Sequence, residues 1–327
     1  MKAIVIAEYG GPEVLALRDL PDPACGPDDL VVRVKATALN RADLLQRRGL
    51  YPQPGPKPEF EIPGLEFAGE VESAGANATG FRAGDRVMGL LAGGGYAQKI
   101  VVNHRLASII PERLTFEQAA SVPEAFITAH DALLQCSFAC GESVLVHAAG
   151  SGVGTAAIQL ARVMGASIVL GTAGSKEKLD AACKLGLDVA IDYKTEAFAD
   201  RAREATGGRG VDVVVDFIGA SYLESNVRAL AEKGRMILIG LMGGFSGELA
   251  LGAMLQKRLT IRGTLLRARS LEEKATAVRA FEKSVLPHIA SGRIATVVDR
   301  VIPLANAADA HRLMEENANF GKIVLSM

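Results

Sequence analysis

The chain has 327 residues, enough for about two domains of ordinary size, each with its own core. Hydrophobic residues make up 49% and charged residues 22%, a balance that excludes both a disordered chain and a membrane-embedded one. With 36 Lys and Arg against 37 Asp and Glu, the chain lacks the basic excess of a nucleic-acid or polyanion binder.

No apolar run reaches the roughly 20 residues needed to span a bilayer. The opening Met1-Lys-Ala-Ile-Val-Ile-Ala-Glu-Tyr carries an acid early and has no secretory cleavage pattern. It reads as the first strand of a cytoplasmic protein. Short apolar runs at residues 30–36, 67–73 and 85–89, bounded by turn residues, are predicted strands. Between them, Tyr51-Pro-Gln-Pro-Gly-Pro-Lys-Pro cannot form a helix and is predicted to be an extended surface loop. It either borders a site or serves as a rigid connector.

From residue 124 the texture changes. Strand-like runs at 144–147, 168–170, 189–193, 213–217 and 236–240 alternate with helical patterns. In the first of these helices Ala156, Ala157, Leu160, Ala161 and Met164 share one stripe. This α/β alternation predicts a doubly wound parallel sheet over residues 124–266, behind a β-rich domain over residues 1–123. A long helix from 271 to about 289 is expected next. A strand-helix-strand tail then ends in Gly321-Lys-Ile-Val-Leu and is expected to return to the first domain. Cys25, Cys136, Cys140 and Cys183 are too few for a disulfide framework, and Cys136 and Cys140 read as two buried thiols.

The most informative stretch is His147-Ala-Ala-Gly-Ser-Gly-Val-Gly-Thr. A strand, a glycine turn and a helix in that order leave backbone N–H groups at a helix N-terminus, the arrangement that holds a pyrophosphate. Gly150, Ser151, Gly152, Val153 and Gly154 are therefore predicted to bind a dinucleotide, and His147 to brace the turn. NAD sites carry an acid after the second strand. Here that strand runs through Thr172 to Gly174, Ser175, Lys176 and Lys178 with no acid at its tip. A hydroxyl and an ammonium suit a 2′-phosphate, so Thr172, Gly174, Ser175 and Lys178 point to NADPH. Tyr193 either stacks on the adenine or caps the sheet edge. His104, His130, His288 and His311 form no metal-like or nucleophile-like arrangement and read as packing or surface residues.

Ala38-Leu-Asn-Arg-Ala-Asp, Ile62-Pro-Gly-Leu-Glu-Phe-Ala-Gly-Glu-Val, Gly93-Gly-Gly-Tyr-Ala-Gln, the turn at Ala149 and the late Gly321-Lys-Ile-Val-Leu run the length of the chain. In these motifs the chain resembles the zinc-independent medium-chain dehydrogenase/reductases, specifically the quinone oxidoreductase group. Ser151, the Arg41-to-Gly49 run and Gly240-Leu-Met-Gly-Gly are similar to the branch of the tumour-suppressor-inducible quinone oxidoreductase of animals. The resemblance implies a GroES-like catalytic domain, 1–123 completed by 267–327, and a Rossmann domain, 124–266, with NADPH between them. A homodimer through the Rossmann sheets is implied as well. Thr128 resembles a nicotinamide-contacting position, and Gly219, Gly240 and Met242 complete the expected cofactor-binding set.

Zinc-dependent relatives place ligands where this chain has Asn40 and Leu65, with a third near Glu124. Leu65 cannot coordinate, and the other two lack the ligand count and softness zinc requires, so no metal is expected. Without that electrophile the chain favours acceptors whose reduction delocalises charge, such as quinones and conjugated enones. Tyr51 matches a proton-donating or enolate-holding tyrosine of related enoyl thioester reductases, and is equally readable as a packing residue of its loop. Asn40 either bonds the acceptor or ribose or holds a turn. Asp43 reads as a local cap, and Ser151 reaches the cofactor or is merely tolerated. The expected function is NADPH-dependent quinone reduction, with Tyr51, Asn40 and Ser151 as catalytic candidates. Two alternatives stay open: an enone or enoyl thioester reductase with Arg47, Arg48 and Lys57 as a basic rim, and a dinucleotide-binding protein with little turnover.

Overall fold

The structure, a computed structural model, describes residues 1–56 and 58–327; Lys57 of the expected rim lies outside them. The chain divides into two compact units, Met1–Ile127 with Leu266–Met327, and Thr128–Leu265.

The first unit begins with β1 (Lys2–Ile6) and β2 (Leu15–Asp19), an antiparallel pair. The long strand β3 (Asp29–Ala38) leads into α1 (Arg41–Arg47), and β4 (Glu66–Ala74), β5 (Arg86–Leu90), β6 (Lys99–Asn103) and β7 (Ala107–Ile109) follow. After α2 (Phe116–Ala120) comes α3 (Pro123–Gln135), within which the division between units falls. The second unit alternates β8 (Ser143–Val146), α4 (Gly152–Val163), β9 (Ile168–Ala173), α5 (Lys176–Cys183), β10 (Val189–Asp192) and α6 (Phe198–Ala205). It continues through β11 (Val211–Asp216), α7 (Leu223–Ala229), β12 (Leu230–Leu238), α8 (Leu251–Lys257) and β13 (Thr260–Gly263). The chain then rejoins the first unit with α9 (Leu271–Ser284), α10 (Leu286–Ala290), β14 (Val298–Pro303), α11 (Ala307–Glu315) and β15 (Lys322–Ser326).

In the first unit the sheet order is β14-β15-β3-β4-β5-β7, with β6 also on β3. β3 is long enough to take two partners along one edge, β6 beside Asp29 to Arg33 and β15 beside Ala36 to Ala38. The pairing of Val324 with Ala38 carries Lys322 to the start of α1. The core of this unit packs Ile4, Leu39, Leu44 and Tyr96 against Ala307, Ala310 and Ile323.

The second unit holds an all-parallel sheet in the order β10-β9-β8-β11-β12-β13. Its central strands are mostly apolar, as strands covered on both faces are: β8 is Ser-Val-Leu-Val, fully buried, with Leu145 opposite Leu170 and Val214, and β11 carries Val213 to Val215 between Asp212 and Asp216. Strand order reverses between β8 and β11, so their C-terminal ends form the switch point where open α/β sheets bind ligands.

Two expectations need correction. The helix expected over 271–289 is broken at Val285, because Pro287 lacks an N–H and its ring excludes the carbonyl four residues back. Cys136 is buried, and burial pushes its thiol up to about 11, but Cys140 is exposed in the turn before β8. They are not two buried thiols.

Candidate functional site

The turn after β8 is built so that α4 starts at once. A Cβ on Gly154 would lie 2.3 Å from the Ala148 carbonyl oxygen, so only glycine lets the helix approach the turn this closely. Ser151 is the N-cap, its Oγ accepting the Gly154 N–H at 3.0 Å. The N–H groups of Gly152 and Val153 lie in the first helical turn, where no intrahelical acceptor exists. Gly150 is buried behind them. No acid occupies the first turn of α4, so the helix end is electropositive. Thr128 adds a polar atom that favours a ligand: its hydroxyl is buried and has no hydrogen-bond partner among the described residues.

His147 braces this turn through a buried chain. Asn226 Nδ2 donates to Asp216 Oδ2 at 3.1 Å, which turns the Asn226 carbonyl oxygen towards His147 Nε2 at 2.7 Å. Nε2 must therefore carry the hydrogen, leaving Nδ1 to accept from the Thr172 hydroxyl at 2.9 Å. Burial holds the imidazole neutral, lowering it to about 4. Asp216 in turn accepts the N–H groups of Ile218 and Gly219. One network thus ties together the C-terminal ends of β8, β9 and β11. It places Thr172 behind the turn, 1% exposed, rather than facing a ligand.

At the tip of β9, a Cβ on Gly174 would lie 2.6 Å from the Tyr193 hydroxyl, so the glycine keeps this tip narrow. Ser175 caps α5, and Lys176 pairs with Asp180 at 2.6 Å. Lys178, half-buried, is in the first turn. Glu177 was not weighed in the sequence reading: its own backbone N–H and the Ser175 hydroxyl hold its carboxyl below the usual range. Tyr193 is half exposed and meets Tyr222 edge-on at 6.3 Å. Gly219 has a φ of 82°, which excludes most side chains, and a Cβ there would meet Leu241 at 2.8 Å. A Cβ on Gly240 would lie 3.0 Å from the Phe217 carbonyl, and Met242 is exposed beside it.

The first unit contains a buried polar network of a different kind. Lys322 directs its ammonium to the Leu39 carbonyl at 2.6 Å, Asn40 Oδ1 at 2.6 Å and Glu66 Oε1 at 2.7 Å, which uses all three donors. Asn40 Nδ2 donates to the same Glu66 oxygen at 2.9 Å, and Glu66 Oε2 accepts the Glu124 N–H at 2.8 Å. The Asn40 amide is thus fully engaged by protein partners. Asp43 accepts from Asn40 N–H, Gly64 N–H and the Tyr96 hydroxyl, and burial raises its carboxyl to about 6. Tyr96 completes a line running Arg47, His311, Tyr96, Asp43. Arg47 can only donate to His311 Nδ1, so Nε2–H donates to Tyr96; burial lowers this imidazole to about 3. Tyr51 lies with its ring under the Arg267 guanidinium, 4.9 Å from carbon to centroid. Burial, then the Glu124 charge, raises its hydroxyl, so it stays protonated at neutral pH.

The basic rim needs correction. Arg47 is fully buried and bonds Gly10 O, His311 and Glu315, because the turn at Gly10 and helix α11 close over α1; Arg48 is exposed but shares Glu315. His311 is likewise a network member rather than a plain packing residue. Sequence reading did not single out Glu66, Lys322 or Arg267. The available signal was a charge set into an apolar strand, in Leu65-Glu66-Phe67 and in Lys322-Ile-Val-Leu.

A parallel sheet with a glycine turn at its switch point, joined to a β-rich unit with a buried ion-pair network, defines a nucleotide-dependent oxidoreductase of two-domain type. The family described as alcohol dehydrogenase GroES-like domain matches residues 26–112, and that described as zinc-binding dehydrogenase matches residues 152–283. A quinone oxidoreductase of Pseudomonas aeruginosa is 35% identical over 330 residues, covering 99% of each chain. The crystal structure of an Escherichia coli quinone oxidoreductase complexed with NADPH is 31% identical and superposes with a TM-score of 0.89, covering 100% of both chains. That of an NAD-dependent alcohol dehydrogenase is 36% identical with a TM-score of 0.90, again over 100% of both. The chain belongs to the quinone oxidoreductase group of the medium-chain dehydrogenase/reductase superfamily, with a GroES-like and a Rossmann-like fold.

Proposed function

We propose that the chain is a cytoplasmic, NADPH-dependent quinone reductase working without a metal electrophile. The observation that carries the reading is the chemistry at the three positions where zinc-dependent relatives set their ligands. Asn40 is engaged by Lys322 and Glu66, Leu65 has no donor atom, and Glu124 stands alone. An acceptor that delocalises its own charge suits such a site. When bound, NADPH supplies the hydride.

The residues of the second unit fit that cofactor. Gly154 clears the start of α4, Gly152, Val153 and Ser151 face the pyrophosphate, and the unpartnered Thr128 hydroxyl is kept for the nicotinamide end. Ser175 and Lys178 take the 2′-phosphate, Tyr193 the adenine, and Gly219, Gly240 and Met242 line the ribose end. Tyr51 offers its hydroxyl to the acceptor oxygen, and Asn40 positions the ion pair beside it. The four cysteines, none in a disulfide, suit a reducing compartment. Strand β13 is a sheet edge, and Leu251, Leu255 and Phe245 are exposed near it in sequence, 69%, 79% and 78%. These support a homodimer through the Rossmann sheet.

The test is NADPH oxidation against an ortho-quinone, a conjugated enone and a crotonyl thioester under one set of conditions, with zinc content measured on the same sample. We expect the highest kcat/KM on the quinone. A higher value on the thioester overturns the choice of acceptor, and activity that disappears with chelated zinc overturns the metal-free reading.

A further inference from the structure

In the first unit, almost every polar tip near the Lys322–Glu66 pair is occupied. The three Lys322 donors are engaged, and so are both Glu66 oxygens and both Asp43 oxygens. Arg267 directs its guanidinium to the Ala92 and Tyr51 carbonyls and to Gln46 Oε1, at 2.7 to 3.0 Å. Two groups are exceptions. The Glu124 carboxyl and the Tyr51 hydroxyl have no protein hydrogen-bond partner among the described residues, and both side chains are only partly covered, so solvent reaches them. Glu124 is fixed by its backbone, whose N–H is held by Glu66, and it lies in the first turn of α3. Four residues further along α3, one helical turn on, is Thr128 with its unpartnered hydroxyl.

We propose that Glu124 is the catalytic acid of the reductase, its carboxyl giving the proton that completes reduction while Tyr51 orients the acceptor. This rests on the reductase reading above. The acceptor takes two electrons and one hydrogen as hydride from the dinucleotide, and negative charge gathers on its oxygen. The Glu124 O–H bond then breaks, and its proton forms the new O–H of a hydroquinone or the new C–H of a reduced enone. Solvent returns a proton to the carboxylate. No other reactant is needed.

The surroundings keep that proton in place at neutral pH. The groups facing Glu124 are Glu66 from β4, Asp43 from α1, Lys322 from β15, Arg267 and Tyr51 from their loops, and Lys274 from α9. Burial is the largest influence, the Glu66 and Asp43 charges add to it, and Lys322 and Arg267 oppose it; the result is a carboxyl raised to about 8. Lys322 and Arg267 cannot offset the burial fully, because their donors are bonded to other acceptors. An acid matched to the working pH transfers protons best, and the Tyr51 hydroxyl, raised above 10, is a poorer donor.

The experiment is a pH profile of kcat for the full-length protein and its Glu124→Gln and Tyr51→Phe variants, with quinone and NADPH saturating. We expect wild-type kcat to fall on the alkaline side around pH 8. Glu124→Gln should lose that limb and about a hundredfold in kcat, with little change in NADPH KM. Tyr51→Phe should raise the acceptor KM and retain the limb. A second readout needs no turnover: in dinucleotide-free protein, the infrared band of a protonated carboxylic acid should contain a component that titrates near pH 8, and that component should be absent in Glu124→Gln. Glu124→Gln with wild-type kcat and an intact alkaline limb overturns the assignment. So does a wild-type spectrum without that component, even if the variant fails to fold. A wild-type protein that binds NADPH but reduces no quinone or enone instead overturns the reductase reading.

Discussion

Lys322 Nζ lies 2.7 Å from Glu66 Oε1, and the pair is almost wholly buried, with Asn40 bonded to both partners. Two strands that are distant in sequence meet here because β15 joins the edge of β3 while β4 pairs its other side. Desolvating two charges costs several kcal/mol, which the pair offsets only because every donor of Lys322 and both oxygens of Glu66 find partners. Lys322→Met strands a buried carboxylate and should lower the unfolding free energy by about 3–5 kcal/mol. Adding Glu66→Gln to that variant should recover much of the loss, since a neutral amide still accepts the Glu124 N–H. Urea unfolding of the two variants measures both effects. A Lys322→Met loss below about 1 kcal/mol, the range of an exposed pair, would mean that water reaches this ion pair.

The His147 chain makes stability depend on pH in a stated direction. The buried imidazole is lowered to about 4 from its ordinary 6.5. Between these values the unfolded chain binds a proton that the folded one refuses. This contribution is therefore fully present above about pH 6.5 and is lost as pH falls towards 4. The buried His311 acts in the same direction, whereas Asp43, raised to about 6, keeps a proton in the folded state and acts oppositely at acid pH. Comparison with His147→Gln isolates one group. The stability difference between wild type and variant should shift by about 2–3 kcal/mol against the wild type between pH 7 and pH 4.5. A difference that stays constant across that range means the imidazole titrates alike folded and unfolded.

Much of this architecture is legible in the residues. The strand-turn-helix at His147 and the apolar strand runs announce a parallel sheet because strands buried on both faces are mostly apolar. The glycines at 154 and 174 stand where any side chain would strike backbone or Tyr193. The buried ionic network was not legible. Glu66 and Lys322 belong to motifs that mark the family, yet nothing local in either strand says that their charges meet. Arg47 looks like surface charge because its neighbour Arg48 is; only the fold of α11 over α1 shows that one is buried and the other exposed. Glu124 escapes for the opposite reason. The acid role proposed for it rests on a carboxyl without a protein partner, which no sequence displays.

Preference between the two dinucleotides depends on charges at the start of α5. In the proposed reading Ser175 and Lys178 take the 2′-phosphate, and the carboxylate of Glu177, held by its own N–H and the Ser175 hydroxyl, opposes it. Ser175→Ala with Lys178→Ala should raise the KM for NADPH about tenfold or more while sparing NADH, since a charge-assisted hydrogen bond contributes roughly 1.5–3 kcal/mol. Glu177→Gln should lower the NADPH KM and leave NADH unchanged. Any general damage to α5 from losing its cap moves both dinucleotides together, so NADH serves as the control. Unchanged NADPH KM in the double variant would show that the phosphate is held elsewhere.

The observed role of Ser151 as a cap and its proposed role at the cofactor separate cleanly by substitution. As N-cap it accepts the Gly154 N–H through Oγ, and its own O–H remains available to donate to the cofactor. Alanine lacks the accepting oxygen and fits the cap poorly, so Ser151→Ala should cost about 1 kcal/mol of stability, whereas Ser151→Gly should cost only a few tenths. Dinucleotide affinity should follow a different rule. Both variants lack the hydroxyl donor, so both should bind NADPH about five- to tenfold more weakly, the effect of one neutral hydrogen bond of about 1 kcal/mol. Thermal unfolding and equilibrium titration on the same samples give the two readings. If affinity instead follows stability, weak in the alanine variant and near normal in the glycine one, the hydroxyl acts only on the helix and makes no bond to the cofactor.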